Sequence, residues 1–306
     1  MIKEEYDYSI IRDYLINNID LIITGEPTEE ERSAFIIDSW KKSNKQHLLI
    51  TFKGNNGIRF IYTDPITGIT ITNNNIDITI GLPDLLRKIS IPQKNVLLDL
   101  SSLDHVLIMV LIKQLIKIII PKSLFAVYIR PKKYLLFPNI DGLLLSDEIY
   151  GVKAVPGFIK RENENQTLCS FIGFEGVRLK SILESLNNIN KIVTIVAFPT
   201  GGLEWFKTTM WHCMDALESE TRELTIRKCF SESIFDAVFL LNDVLGQVDS
   251  VVLAPFGTRP HSAASAIFAA KHQNVKIIHD NAIERQNRTE GISHICVYHL
   301  SSFIEI

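Results

Sequence analysis

Two short turns in the second half of the chain carry the side chains best suited to holding a ligand. Residues 257–262 read Gly257-Thr258-Arg259-Pro260-His261-Ser262. Gly257 permits close approach to the backbone and Thr258 offers a hydroxyl. Arg259 offers a planar cation matched to phosphate, and His261 adds an imidazole. Pro260 suits the first turn of a following helix. Residues 173–178 read GFEGVR, so Gly173 and Gly176 flank Glu175, and Arg178 falls in the first turn of the next helix. Free N–H groups at a helix N-terminus favour an anion. Glu175 would repel a bare phosphate there and suits a ribose hydroxyl or a base amine instead. A third turn, residues 199–202, reads Pro-Thr-Gly-Gly. A fourth, Asp99-Leu100-Ser101-Ser102 with Asp104 and His105, sets an acid beside hydroxyls. That set suits a metal, a ribose or a base, and it equally suits a plain helix cap by Ser102.

The elements that must position these turns are legible from hydrophobic period. Residues 250–279 read as a buried strand, a turn, a helix and a second buried strand. Residues 169–174, 191–198 and 223–227 read as further strands, with helices at 176–186, 203–217 and 231–245. Residues 295–300 read as a closing edge strand. Short apolar strands alternating with amphipathic helices predict a largely parallel sheet. In such a sheet ligands bind outside the carboxyl ends of the strands. All four turns follow strand ends.

The first half is more mixed. Residues 1–47 read as helical, with Thr28-Glu29-Glu30-Glu31 as a capping box. Residues 48–72 are short runs rich in Ile and Thr, broken by Gly-Asn-Asn-Gly and Asp64-Pro65, which predicts hairpins. Residues 95–100 read as a strand, 103–120 as an apolar helix and 124–130 as a strand. Residues 131–167 are irregular and hold the expected boundary. The expected architecture is therefore α/β throughout. An N-terminal α/β (α+β) half with a hairpin region spans 1–150, and a Rossmann-like, mostly parallel half spans 151–306.

Composition excludes several classes. The chain has 306 residues, 46% hydrophobic and 22% charged, with a net charge of −3. That balance argues against nucleic-acid binding through bulk positive field. The N-terminal MIKEEYDYS lacks the apolar core of a signal peptide. Lys113, Gln114 and Lys117 interrupt the most apolar segment, so no membrane span is expected. The four cysteines are scattered, without metal-ligand spacing or a disulfide framework, which suits a reducing cytoplasm. No cofactor or metal is expected. There is no Walker A loop, no G-x-G-x-x-G, no H-E-x-x-H and no G-x-S-x-G. An acid, any residue, then Lys occurs nowhere, which counts against a restriction-type nuclease.

Residues 168–300 resemble the CRISPR-associated Rossmann fold (CARF) sensors of prokaryotic immunity. FIGFEGVR is similar to the family's first ligand-contacting turn, and APFGTRPHSAASAIFAA to its G-T-K-like turn. Phe256 stands where that family usually has the first Gly, and Arg259 where it has Lys. The resemblance implies a sensor of cyclic or linear oligonucleotides, usually a homodimer, that signals to a partner. It implies ligand contacts at Gly173, Glu175, Arg178, Gly257, Thr258, Arg259 and His261. Two other readings stay open: an enzyme acting on a nucleotide or NAD-like substrate through Glu175 or Asp99, and a scaffold subunit of a defence complex. The scaffold would use helix 103–120 as an obligate interface.

Overall fold

The computed structural model describes residues 5–28, 30–40, 43–135, 146–148, 151–159, 165–186, 188–198, 203–280, 282–285 and 287–303. The chain divides into two compact units, residues 1–134 with 289–306, and residues 135–288. Each has its own sheet, and both sheets are mixed.

In chain order the first unit holds β1 (Glu5–Asp7), α1 (Tyr8–Asn18), β2 (Leu21–Thr24), α2 (Glu31–Trp40) and the strands β3 (Gln46–Phe52), β4 (Gly57–Asp64) and β5 (Ile69–Asp77). It continues with α3 (Gly81–Lys88), β6 (Asn95–Asp99), α4 (His105–Lys113) and β7 (Ser123–Tyr134). The second unit follows: β8 (Ser146–Glu148), β9 (Lys153–Ala154), β10 (Gln166–Ile172), α5 (Gly176–Ser185), β11 (Ile189–Ala197), α6 (Leu203–Glu218) and β12 (Glu223–Cys229). It ends with α7 (Ile234–Leu245), β13 (Val251–Pro255), α8 (Arg259–Lys271), β14 (Val275–His279) and β15 (Ile283–Glu284). The chain then returns to the first unit with β16 (Thr289–His299).

The first sheet has eight strands in the order β1-β16-β7-β6-β2-β3-β4-β5. Its centre, β7-β6-β2-β3, is parallel. The hairpins β3-β4-β5 extend one side, as the Gly-Asn-Asn-Gly turn predicts: Gly54, Asn55 and Asn56 all take positive φ. β16 and β1 add antiparallel strands on the other side.

Two boundaries differ from expectation. The division falls at Tyr134/Leu135 rather than at 150. The closing strand does not edge the second sheet; it pairs antiparallel with β7, His299 opposite Phe125 through Thr289 opposite Tyr134. Its period announces a strand but not a partner, because pairing with β7 is a long-range choice. β2 is a central strand inside the stretch that reads as helical. The turn before α2 is also built differently. The Thr28 N–H donates to Ser33 Oγ at 2.9 Å, so a serine reaches back where Glu31 was expected to.

α4 is buried from Val106 to Ile112, within the first unit, and continues as one wider π turn over Gln114–Ile118. Asp104, not Ser102, caps it, accepting from the Val106 N–H at 2.7 Å. Burial of its apolar side chains in the unit's own core, about 1.5–3 kcal/mol each, accounts for its composition without an interface. Among the described residues no helix is long and apolar enough to cross a membrane.

The second sheet runs β12-β11-β10-β13-β14-β9. Its five long strands are all parallel, and β9 pairs antiparallel with β14 at the edge. The parallel strands start in the middle at β10, run outward to β12, then cross to β13 and β14. α5 and α6 pack together over the face carrying Ile172 and Val196. α8 lies on the opposite face, where His261 stacks on Phe171 at 4.4 Å between ring centroids. Helices on both faces of a mostly parallel sheet are the expected α/β architecture.

Candidate functional site

Strand order reverses between β10 and β13, so the carboxyl ends of these two neighbours form the switch point of the second sheet. Both sequence-selected turns stand there. Gly173 follows β10, and a Cβ on it would sit 2.7 Å from the Phe256 carbonyl oxygen, so glycine is what lets the two turns abut. Arg178 extends from the first turn of α5, and its guanidinium lies 4.7 Å from the Phe256 ring centroid.

The polar groups at this corner are engaged with one another. Arg178 grips Asp280 side-on, Nε to Oδ2 at 2.6 Å and Nη2 to Oδ1 at 2.8 Å. Asp280 is fully buried. Burial raises its pKa, but the hydrogen bonds and charge of Arg178 outweigh that and hold the carboxyl below its ordinary range. Glu175, also buried, accepts at 2.9 Å from both the N–H and the hydroxyl of Ser146 in β8, while Arg178 Nη1 lies 3.5 Å away. β8 is held by pairing with β15, Glu284 opposite Ser146. The polar segment after β14, which as a sequence suits a lid, thus supplies Asp280 and a short strand; residues 281 and 286 lie outside the described residues.

The second turn is equally committed. Thr258 is the N-cap of α8, and its hydroxyl donates to the Ser231 carbonyl. Its N–H donates to His261 Nδ1 at 3.3 Å, and His261 Nε2 donates to the Phe230 carbonyl at 3.0 Å. His261 takes the place of Glu in a capping box. Accepting at one nitrogen and donating at the other fixes it as the neutral tautomer, and complete burial pushes its pKa down to about 4. Both ring nitrogens of His261 are thus engaged within the protein, and the ring is fully buried. Arg259 is buried rather than presented to solvent. Gly257 has a packing reason too: a Cβ there would meet His261 Nδ1 at 2.4 Å.

No protein-family model matches the chain, and no curated protein sequence matches it.

Asp99 stands apart from this corner, in the first unit. That sheet has its own reversal, between β2 and β6, and Asp99 ends β6. Asp99 is fully buried; Oδ1 accepts from the Ser101 N–H at 3.0 Å and Oδ2 from the Ser102 hydroxyl at 2.8 Å. Ser102 Oγ in turn accepts from the Gly25 N–H at 2.9 Å. Asp99 therefore braces two strand-end turns. The turn at 199–202 lies outside the described residues.

Ser146 and Asp280 complete this corner from outside the two turns. Asp280 directly follows β14, and an acid at a parallel strand's carboxyl end was an available signal. Ser146 opens a strand of three residues and carried none.

Proposed function

We propose that the second unit is a sensor of a nucleotide-type anion, cyclic or linear, and that it reports to a partner in antiviral defence. One observation carries the reading: an Arg–Asp pair with a buried carboxylate closes the switch point of a mostly parallel sheet, where ligands of this architecture bind. Arg178 sits at a helix N-terminus, and a guanidinium held by a carboxylate accepts a phosphate with the same bidentate geometry. A ligand phosphate would take Asp280's place on Arg178. The released Asp280 and Glu175 then loosen β8 and β15, the short strands that a partner would read. The CARF resemblance gives the same ligand class and the same two turns.

The test is ligand-induced stabilisation of the full chain with cyclic and linear oligoadenylates, ATP and NAD. A rise in melting temperature with one of them, lost in Arg178→Gln, is expected. No shift with any of these probes sinks the reading. Turnover of NAD that disappears in Glu175→Gln would favour the enzyme reading instead.

A further inference from the structure

A cavity of about 380 Å³ opens in the first unit, at the end of the sheet away from Asp99. Its floor is one row across four strands: Ile22 opposite His47, His47 opposite Thr63, Thr63 opposite Thr70. Residues directly opposite in a sheet share a face. The row therefore presents one apolar group, one imidazole and two hydroxyls to the same space. Ile37 and Trp40 of α2 line it from the helix side.

Two charges also line the cavity, Lys45 and Asp64, and they do not pair with each other. Asp64 is held in place: Oδ1 accepts from the Ile66 N–H at 3.0 Å, and Oδ2 accepts from Gln46 Nε2 at 3.0 Å. These bonds keep its carboxyl below its ordinary range although burial works against ionisation. The Lys45 ammonium and the Thr63 and Thr70 hydroxyls make no side-chain hydrogen bond or ion pair with another described residue. His47 Nε2 is spent on Thr24 Oγ1 at 2.8 Å, which leaves the other ring nitrogen for the cavity. Burial lowers the pKa of His47 and so favours the neutral ring.

We infer that this cavity binds a free α-amino acid with a bulky apolar side chain. Separated charges of opposite sign that do not bond to each other suit a zwitterion: the carboxylate goes to Lys45 and a threonine hydroxyl, the ammonium to Asp64. The apolar side chain packs on Ile22, Ile37 and Trp40. The volume lies at the low end of small-molecule sites, about 300–1,000 Å³, as a single amino acid requires. A nucleotide phosphate would meet Asp64 across the same small space.

The test is calorimetry and thermal shift on the full chain with L-tryptophan and L-leucine. Three controls complete it: indole-3-propionate, which lacks the ammonium; tryptamine, which lacks the carboxylate; and AMP. The expected result is saturable binding of an amino acid, weakened about 10- to 100-fold by removing either charge from the ligand. Lys45→Met should weaken it as much, with the melting temperature of the unliganded chain unchanged. Thr70→Leu, which fills the cavity, should abolish it. No binding of either amino acid, equal binding of indole-3-propionate, or binding of AMP alone overturns the assignment. Because the cavity belongs to the first unit, these outcomes are independent of those at Arg178.

Discussion

Arg178 and Asp280 are 102 positions apart and meet side-on, two parallel N–H···O contacts of 2.6 and 2.8 Å on a fully buried carboxylate. The pair joins the start of α5, the helix after β10, to the residue after β14, which lies two places from β10 in the sheet order. Removing Arg178 leaves the Asp280 carboxylate buried without its cation, and Arg178→Ala is expected to cost about 3–5 kcal/mol in urea unfolding. Asp280→Ala leaves Arg178 partly exposed and still 3.5 Å from Glu175, and should cost less. The double variant should cost clearly less than their sum. Additivity to within about 0.5 kcal/mol would show that the pair is not a unit.

His261 sets a pH dependence. Its pKa is about 4 in the folded chain against an ordinary 6.5. Between those values the unfolded chain takes up a proton that the folded chain refuses. Stability from this group is therefore full above 6.5 and falls as pH drops toward 4. The loss is on the order of 3 kcal/mol. Asp280 adds a loss only at lower pH, below the ordinary carboxylate range. Urea midpoints of the native chain should fall between pH 7 and 4.5. His261→Asn, less stable at neutral pH, should show a slope shallower by about one proton. Equal slopes would mean that His261 is already protonated in the folded chain.

β10, β11 and β13 of the second unit were legible because each is a largely apolar run closed by Gly or Pro. β10 to β14 follow the period almost residue by residue. β2 was not legible: three apolar residues and a threonine between two helical stretches carry no period of their own, and only pairing with β3 and β6 makes them a strand. The partner of β16 was hidden for the same reason. The two turns marked in the sequence do meet, at Gly173 and Phe256, while Thr258 and His261 are engaged in capping α8. Thr258 and His261 stand three apart as in a capping box, and the box went unseen because His replaces the usual acid. Lys45, His47, Thr63 and Thr70 become neighbours only through strand register, so no local pattern marks the cavity.

At Gly176 α5 and α6 approach closely. A Cβ there would lie 1.7 Å from the His212 carbonyl oxygen, a backbone atom that cannot turn aside. Helix propensity alone predicts that Gly176→Ala gains up to about 1 kcal/mol. The packing predicts the opposite, a loss of about 2 kcal/mol or more as the two helices separate. The sign of the change in melting temperature decides between them.

Ser265 and Thr194 test the cost of an unmet hydrogen bond. Both are fully buried in the second unit, and neither hydroxyl has a partner among the described residues. Folding strips water from each oxygen and returns nothing. Ser265→Ala removes that loss and places the best helix former inside α8. Thr194→Val keeps the β-branched shape that suits β11 and exchanges a hydroxyl for a methyl group. Each is expected to stabilise the chain by about 1 kcal/mol, and the two gains should add, since they lie on different elements. Chemical denaturation measures both. A loss of stability in Ser265→Ala would mean that the hydroxyl is bound, by water or by a ligand, in the native protein.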